Sequence, residues 1–216
     1  MMLLSDVEIR QAIKEKRIGI EPFHEPSLQP ASYDLRVGKR MLVSGVVEEI
    51  DMERKRSVVL KAGQFALLTS FERIRLSDDV AAHIGMKSYY VRKGIVLLAG
   101  LQIDPGWDGY LVLGIYNASP RSITMDYQSP ICTVDFYGLA VPASEGFRAS
   151  EEQRAGEIPR VDKDYLRTLE TETLSEMSES VRRLSENVST LTTVTYRFVI
   201  PILLMILGSV VAKFFV

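Results

Sequence analysis

The sequence contains few of the residues on which disulfide frameworks and metal cages depend. Its 216 residues include one cysteine, Cys132, and two histidines, His24 and His83. One cysteine excludes an internal disulfide framework and any metal site with several cysteine ligands, and two histidines are too few for a histidine-rich cage. A Walker-type glycine loop is also missing, which excludes the P-loop class of nucleotide-binding proteins.

The chain also lacks an excess of charge of either sign. Lysine and arginine number 26 against 28 acidic residues, so the formal net charge is −2. Residues 1–150 carry 18 basic and 18 acidic side chains and are electrically balanced. Because binding to a phosphate backbone normally needs a basic excess, we expect no nucleic-acid polymer among the partners.

The long apolar run lies in residues 198–216, where Lys213 is the only charge. As a helix rising about 1.5 Å per residue it is roughly 28 Å long, close to the ~30 Å hydrocarbon core of a bilayer. A buried core helix is the alternative, although a helix this apolar needs a larger protein around it. The first six residues show no secretory signal. We therefore predict a transmembrane tail anchor over 198–216, which places the chain in a membrane with its head in the cytoplasm.

A heptad pattern precedes the apolar run. Apolar or threonine side chains recur there at alternating spacings of three and four: Leu174, Met177, Val181, Leu184, Val188, Leu191, Thr195 and Phe198. This spacing is typical of a coiled coil, although one amphipathic helix folded back on the head has the same pattern. Frequent serine and threonine lower the helix propensity, so the helix should need partners. We predict a parallel, self-associating stalk over 163–197, with the number of strands open, and a linker over 143–162.

Residues 1–142 are predicted to form a mainly β head that begins with one helix. Ser5 followed by Glu8 fits a capping box, and Ile9, Ala12 and Ile13 give the helix an apolar face. Short β-rich segments then alternate with breaks rich in glycine, proline and aspartate: 41–47, 57–60, 64–70, 95–99, 110–116, 122–125 and 131–136. This spacing favours a sandwich, jelly roll or distorted barrel over a parallel α/β sheet.

Three stretches place polar groups beside apolar strands. In residues 28–36, Asp34 and Arg36 alternate with apolar residues, as in a half-buried strand with a solvated face. Residues 87–94 combine cations, hydroxyls and a glycine, which suits a triphosphate site or, equally, a solvated basic turn. Asp104 lies between an apolar residue and a Pro-Gly turn that carries Trp107. A carboxylate there can orient water or a sugar hydroxyl, or it can cap the turn.

Together these motifs resemble the dCTP deaminase/dUTPase superfamily, and its deaminase branch more closely, over residues 4–142. The resemblance rests on Leu4-Ser5-Asp6, QPASYDLRVG at 29–38, Lys87-Ser88 with Arg92 and Gly94, and IDPGWDG at 103–109. It implies a distorted jelly-roll head, a homotrimer with active sites between subunits, and catalysis without zinc. The His-x-Glu and Pro-Cys-x-x-Cys signature of zinc deaminases is absent from the sequence, in keeping with this. A trimeric head also fits a parallel stalk.

The resemblance implies a role for each matching residue. Lys87, Ser88 and Arg92 look like the triphosphate contacts, and Lys87 stands where the family usually has arginine, without its bidentate fork. Asp104 looks like the aspartate near the sugar, which acts on the hydrolytic water in the diphosphatases. The cofactor implied is Mg²⁺ bound with the triphosphate. The other predicted substrate contacts lie in the loop over the pyrimidine and around the aspartate: Gly100, Leu101, Gln102 and Trp107.

One position departs from the family. Its deaminases carry a glutamate ten residues after that aspartate, as the general base, and this sequence has Gly114 there. A positioned general base contributes about 10²–10⁴-fold, so deamination by the family mechanism is expected to be lost or severely impaired. The C-terminal segments that close the active site in dUTPases and deaminases are not recognisable either.

Three functions stay open at this point. One is a membrane-anchored binding module that holds a pyrimidine deoxynucleoside triphosphate and acts as a sensor, effector or scaffold. The second is a dUTP or dNTP diphosphatase that uses Asp104 and Mg²⁺. The third is a dCTP deaminase with a relocated base. The membrane anchor favours the first, since a soluble nucleotide-pool enzyme has no evident need for one.

Overall fold

A computed structural model describes residues 2–46, 48–168 and 174–201. The chain divides into two compact units, Met1–Thr173 (the head) and Leu174–Val216 (the C-terminal unit). The described strands of the head are β1 Met2–Leu3, β2 Ile18–Glu21, β3 Leu28–Gln29, β4 Ser32–Val43, β5 Ile50–Asp51, β6 Ser57–Leu60, β7 Phe65–Leu76, β8 Val80–Met86, β9 Ile95–Leu97, β10 Gln102–Ile103, β11 Asp108–Asn117, β12 Ile123–Asp126 and β13 Pro130–Gly138. Its helices are α1 Asp6–Lys14, α2 Met52–Lys55, α3 Ser88–Val91, α4 Glu151–Ala155 and α5 Arg160–Thr168, with a 3₁₀ turn at Glu25–Ser27.

Most strands form one curled antiparallel sheet, so the mainly β expectation is confirmed. Its central order is β10-β8-β13-β4-β7-β11-β9, and β12 pairs separately with β6. Strand β4 serves both halves of the sheet, because its first part pairs with β13 and its last part with β7. At Gly38 between these parts, an added Cβ would overlap the Ser70 carbonyl oxygen. Glycine lets β4 bend here against β7.

The N-terminal helix forms as predicted. The Ser5 backbone N–H donates to the Glu8 carboxylate at 2.8 Å, and the Glu8 N–H donates to the Ser5 hydroxyl at 3.4 Å. Both halves of the capping box are therefore present. Ile9 and Ala12 are buried beneath the helix and join the main core between the two halves of the sheet.

Residues 150–168, expected as linker and the start of the stalk, fold as two helices of the head instead. Ser150 caps α4 through a capping box with Gln153, and Gly156 ends that helix at a φ of 75°. The side chains of Ile158 and Leu166 are buried against one apolar surface of the sheet, formed by Leu42, Phe65, Leu67 and Val112. The boundary between the two units therefore falls after Thr173 in the chain, later than the sequence pattern indicates.

The described part of the C-terminal unit is helical. Helix α6 spans Leu174–Val194 and continues into a π-helical turn, Thr195–Val199. Four heptad residues, Val181, Leu184, Val188 and Leu191, are 60–65% exposed in the single chain. Among the described residues no helix is long and apolar enough to cross a membrane. Residues 202–216, most of the predicted anchor, lie outside the described residues, so the stalk and the anchor stay predictions.

Candidate functional site

A basic groove of about 580 Å³ lies between the turn that follows α3 and the loop that precedes β12. Three cations line it, Arg92, Lys93 and Arg121, against one carboxylate, Asp126. Ile123 and Met125 of β12 are buried, while the side chains between and after them, Thr124 and Asp126, are exposed and line the groove. Residues 1–150 carry equal numbers of basic and acidic side chains, so this groove is a local concentration of positive charge.

The turn after β8 positions Arg92. Helix α3 is a single turn, in which the Arg92 N–H donates to the Ser88 carbonyl at 3.0 Å. Gly94 then adopts a φ of 93°, and its carbonyl accepts from the Ala118 N–H at 2.9 Å. A Cβ at Gly94 would lie 2.8 Å from Cβ of Ser119. Glycine is needed here both for the positive φ and for the close approach of the two loops.

Asn117 organises the facing loop. Its side chain is fully buried, and its Nδ2 donates to the carbonyl oxygens of Leu60 at 3.0 Å and Arg121 at 2.8 Å. Its Oδ1 accepts from the Ser119 N–H at 3.1 Å and the Ser119 hydroxyl at 2.7 Å. Four hydrogen bonds from one buried amide fix the backbone that carries Arg121 on the wall of the groove.

Lys87 and Ser88 lie beside the groove but do not line it. The Lys87 ammonium binds Asp34 Oδ2 at 2.6 Å, and the Asp34 side chain is 8% exposed. Asp34 Oδ1 is buried without a hydrogen-bond partner among the described residues. Ser88 is exposed at the start of α3. In this structure the charge of Lys87 therefore neutralises Asp34.

Arg36, predicted on a solvated face, is buried with Asp34 on β4. Its Nε donates to Glu72 Oε1 at 2.5 Å and its backbone N–H donates to Oε2 at 2.9 Å. Its guanidinium also lies 4.7 Å from the centre of the Phe71 ring. Burial raises the pKa of Glu72, and its hydrogen bonds from Arg36 oppose that rise only in part. Arg36 and Glu72 therefore join β4 to β7 inside the head, away from solvent.

A second, smaller cavity of about 160 Å³ brings together several predicted substrate contacts. Gly100, Gln102 and Trp107 line it with apolar side chains of the sheet and with Gln153. The Gln102 Nε2 donates to Asp104 Oδ1 at 2.6 Å, so the predicted catalytic carboxylate is bound to a residue that lines the cavity but does not line it itself. Leu101 is 67% exposed and does not line this cavity.

A segment after the last strand covers Trp107. The Trp107 and Phe147 rings stack with centroids 5.5 Å apart and planes 13° apart. The Phe147 N–H donates to the Pro105 carbonyl at 2.7 Å. Gly106 adopts a φ of 80°, and a Cβ there would lie 2.5 Å from Cα of Gly146. The chain beyond β13 therefore folds over the Pro-Gly turn of its own head.

Gly114 lies where β11 is in contact with the segment after β9. The Leu98 N–H donates to the Gly114 carbonyl at 2.7 Å. A Cβ on Gly114 would lie 2.5 Å from the Leu98 carbonyl oxygen and 3.2 Å from the Phe65 ring. Backbone therefore occupies the space in which a side chain at this position would begin, and a carboxylate does not fit without a shift of Leu98.

The predicted site residues thus fall into two groups. Arg92 lies in the basic groove, with Lys87 and Ser88 beside it, whereas Gly100, Gln102 and Trp107 line the small cavity, with Asp104 bound to Gln102. Sequence reasoning missed Arg121, which lies in the loop before β12. It also missed Gln153, which lies in α4, within the segment predicted to be a linker. The sequence offers one signal near Arg121, because apolar and polar residues alternate from Ile123 to Asp126 and so predict a strand that starts two positions later.

Other reactive groups offer no alternative centre in the described parts of the chain. Cys132 is fully buried, and burial raises the pKa of its thiol to about 12. A thiolate nucleophile is therefore disfavoured at neutral pH. The described residues contain no cluster of three histidine, cysteine or acidic side chains that could hold a metal ion.

The curled antiparallel sheet defines a protein of the dUTPase-like fold. The crystal structure of 2′-deoxycytidine 5′-triphosphate deaminase from Agrobacterium tumefaciens superimposes on this chain with a TM-score of 0.53 and 24% sequence identity. The match covers 62% of this chain and 47% of that chain. This similarity establishes the fold.

The chain belongs to the dCTP deaminase-like family, whose model matches residues 3–139. The dCTP deaminase of Pyrococcus abyssi is 40% identical over 149 residues, which cover 69% of this chain and 92% of the relative. The dCTP deaminase of Pyrococcus furiosus is 41% identical over 149 residues, 69% of this chain and 90% of the relative. The family assignment made from the motifs is therefore confirmed for the head.

Proposed function

We propose that this protein binds a pyrimidine deoxynucleoside triphosphate as a membrane-anchored homotrimer and does not deaminate it. It acts as a sensor, effector or scaffold whose state depends on the bound nucleotide. Three features support the binding part: relatives named dCTP deaminase at about 40% identity, a basic groove that contains Arg92, and a small cavity beside Asp104.

Gly114 carries the proposal that deamination is lost. A general base must be within about 2.6–3.2 Å of the proton that it removes. Glycine has no such group, and the backbone of Leu98 fills the adjacent space, with its carbonyl oxygen 2.5 Å from the point where a Cβ on Gly114 would lie. The site therefore lacks the acceptor itself and also the room in which a replacement side chain would stand.

The trimer would complete a site that one chain leaves open. Strand β9 is the last strand of the sheet order, and its neighbourhood exposes apolar side chains: Val96 is 43%, Leu98 52% and Leu101 67% exposed. An exposed apolar sheet edge is normally covered by a partner. A neighbouring copy at this edge would shield the loop predicted to close over the pyrimidine, and the exposed heptad stripe of α6 supplies a second surface for self-association.

Membrane anchoring rests on residues 198–216 of the sequence. The bilayer is the partner of that run, with the head on the cytoplasmic side. Arg182, Arg183 and Arg197 precede the run, in keeping with the excess of positive charge on cytoplasmic flanks. Attachment would hold a nucleotide-responsive head at a membrane surface, where its state can be passed to other membrane components.

A diphosphatase acting on dUTP or another dNTP is the second candidate, since Asp104 is retained. Gln102 binds one oxygen of this carboxylate at 2.6 Å, so the other oxygen is available to orient a water molecule. Mg²⁺ would arrive with the triphosphate and neutralise part of its charge. Residues of this chain would bind the phosphates and orient the water, while Gly114 is no obstacle because hydrolysis needs no base at that position.

The test uses the full-length chain purified in a mild detergent. Calorimetry measures the binding of dUTP and dCTP with Mg²⁺, and chromatography measures their conversion. Saturable binding that Arg92→Ala abolishes, with neither nucleotide consumed, supports the proposal. Release of dUMP and pyrophosphate from dUTP would establish the diphosphatase, and formation of dUTP from dCTP would establish a deaminase with a relocated base.

Two further results would overturn parts of the proposal. If no deoxynucleotide gives a heat signal, the head is not a nucleotide-binding module. Sedimentation of the same preparation in density-matched detergent should give three chains per particle, and a monomer would reject the shared site.

A further inference from the structure

The basic groove contains a second arginine that no motif of the family identifies. Arg92 and Arg121 come from two loops that are separated by a complete antiparallel pair, β9 and β11, in the chain. Both are exposed, and within the described ranges neither guanidinium takes part in a salt bridge. Other arginines of the head, such as Arg17 and Arg73, are paired with carboxylates.

The two loops are fixed to each other before any ligand binds. The Ala118 N–H donates to the Gly94 carbonyl at 2.9 Å, two residues beyond Arg92. Buried Asn117 holds the Arg121 carbonyl at 2.8 Å from its Nδ2. The backbones that carry both arginines are therefore held in place, and only the side chains need to be ordered when an anion enters, which lowers the entropic cost of binding.

The chemistry of the groove matches a chain of phosphates. Each guanidinium offers a planar fork of N–H donors, which fits two oxygens of one phosphate. The Lys93 ammonium lies 3.9 Å from the centre of the Tyr89 ring and binds its hydroxyl, so it adds charge near the same wall. The volume of about 580 Å³ is sufficient for a nucleotide-sized ligand.

We infer that Arg121 and Arg92 form a two-arginine clamp for the polyphosphate of the bound nucleotide. This rests on the proposed function, in which the ligand is a deoxynucleoside triphosphate. Arg121 supplies the planar fork of donors that Lys87 lacks, and the Lys87 ammonium is engaged by Asp34 at 2.6 Å. The clamp makes the site selective for triphosphates over monophosphates, because the terminal phosphates lie between the two forks.

The experiment compares Arg121→Ala with the full-length wild-type chain in detergent, using dUTP, dUMP and inorganic tripolyphosphate as probes in calorimetry. The control is Arg54→Ala, since Arg54 is an equally exposed arginine on α2, outside the groove, and its loss changes the net charge by the same amount. We expect Arg121→Ala to weaken dUTP and tripolyphosphate binding about 10- to 100-fold, the range for charge-assisted contacts. Binding of dUMP should change less than twofold, and Arg121→Lys should be intermediate.

The outcomes separate the clamp from the proposed function. If dUTP binds the wild type, Arg92→Ala abolishes it and Arg121→Ala matches the control, the clamp is wrong and the proposed function stands. If tripolyphosphate binding depends on Arg121 but no nucleoside is recognised, the clamp stands and the proposed function fails. A changed sedimentation coefficient for Arg121→Ala with unchanged dUTP affinity would instead assign Arg121 to a contact between copies and overturn the clamp.

Discussion

The surroundings of Gly114 and the basic groove are opposite in character. At Gly114 the backbone of Leu98 fills the space of a side chain, with its carbonyl oxygen 2.5 Å from where a Cβ would be. In the groove, Arg92 and Arg121 stand free around about 580 Å³ of open volume. One region has neither a polar side chain nor the space for one, while the other has charge, hydrogen-bond donors and room.

Under the proposed function, this difference is the physical reason why the fold would keep affinity for a nucleotide without deaminating it. Binding an anion needs long cationic side chains near its charge, and their flexibility tolerates small changes in the backbone. Proton transfer needs one acceptor at hydrogen-bonding distance in one direction. The proposed function therefore predicts that the absence of one carboxylate ends proton transfer and leaves anion binding intact, and each of the following experiments tests that prediction.

The largest effect is expected at Gly114. Gly114→Glu should restore no conversion of dCTP to dUTP, because the added side chain meets the Leu98 carbonyl before it reaches the cavity. The milder Gly114→Ala should lower the free energy of unfolding by about 3 kcal/mol, the upper end for overpacking, since the Leu98 backbone must move to admit a methyl group. Chromatography of the nucleotides and chemical denaturation in detergent measure the two effects.

Gly85→Ala is the matched control for Gly114→Ala. Gly85 also lies inside a strand, but a Cβ there meets only a methyl carbon of Thr133 at 3.7 Å, an ordinary contact. Its substitution should change the free energy of unfolding by less than about 0.5 kcal/mol. Appearance of dUTP from dCTP with Gly114→Glu would show that one missing residue accounts for the whole loss and that the Leu98 backbone is no barrier.

Asn117 provides the next largest effect, on the side of the groove. Asn117→Ala removes four hydrogen bonds of a fully buried amide and leaves the carbonyls of Leu60 and Arg121 without that donor. We expect a loss of about 2–3 kcal/mol in the free energy of unfolding. The affinity for tripolyphosphate should fall as well, because the loop that carries Arg121 is no longer fixed.

Ser119→Ala keeps the amide of Asn117 and removes the hydrogen bonds of one hydroxyl, to Asn117 Oδ1 and to the backbone carbonyl and N–H of Arg121. Because the contacts to Arg121 are exposed, it should cost only about 1 kcal/mol. Denaturation and calorimetry on both variants give the comparison. Equal stability of the two variants would mean that the buried amide does not organise the loop.

Substitutions of Lys87 test whether its ammonium stays in the ion pair with Asp34 or contacts the triphosphate when a nucleotide binds. Lys87→Ala leaves the Asp34 carboxylate, 8% exposed, without its cation. This should lower the free energy of unfolding by about 2 kcal/mol, less than for a fully buried pair because Lys87 is partly solvated. Binding of dUTP at conditions where the variant is folded should change less than threefold.

Lys87→Arg retains the charge and should recover most of that stability. A drop of more than tenfold in dUTP affinity for Lys87→Ala, without loss of stability, would show that the ammonium leaves Asp34 and contacts phosphate. Lys87 would then contact the phosphates together with Arg92 and Arg121, and the two-arginine clamp would become a site with three cations.

The head could be predicted from sequence where local rules decide the structure. The Ser5–Glu8 capping box and the breaks between β-segments follow from side-chain chemistry close in the chain, and ordered motifs such as IDPGWDG indicated the family. The burial of Asp34 and Arg36 could not be seen this way, because an alternating polar pattern is the same on a solvated face. Only the partners, Lys87 and Glu72, distant in sequence, make that burial tolerable.

The two helices after β13 were missed for a related reason. Ile158 and Leu166 are separated mostly by charged residues, and only Val161 and Tyr165 stand at helical spacing between them. This apolar pattern covers about two turns, so the sequence pattern indicates a linker. Its place on the head depends on an apolar surface around Leu42 that exists only after the sheet has formed. Arg121 lies in a short loop with no periodic pattern, and its approach to Arg92 depends on the contact between the Gly94 turn and the Asn117 loop.

The smallest effect is expected at Phe147, whose ring stacks on Trp107. Phe147→Ala removes the stacked ring from Trp107 and should lower the free energy of unfolding by about 1 kcal/mol, since Phe147 is 45% exposed. Trp107 is the only tryptophan, so its fluorescence should shift to the red as water reaches the indole. Phe23→Ala is the matched control, because Phe23 is 38% exposed and its ring contacts Tyr33, with centroids also 5.5 Å apart and planes tilted by 33°. If the two variants give the same emission spectrum, the segment after β13 does not cover Trp107 in solution, and the stacked geometry of the two rings is not kept.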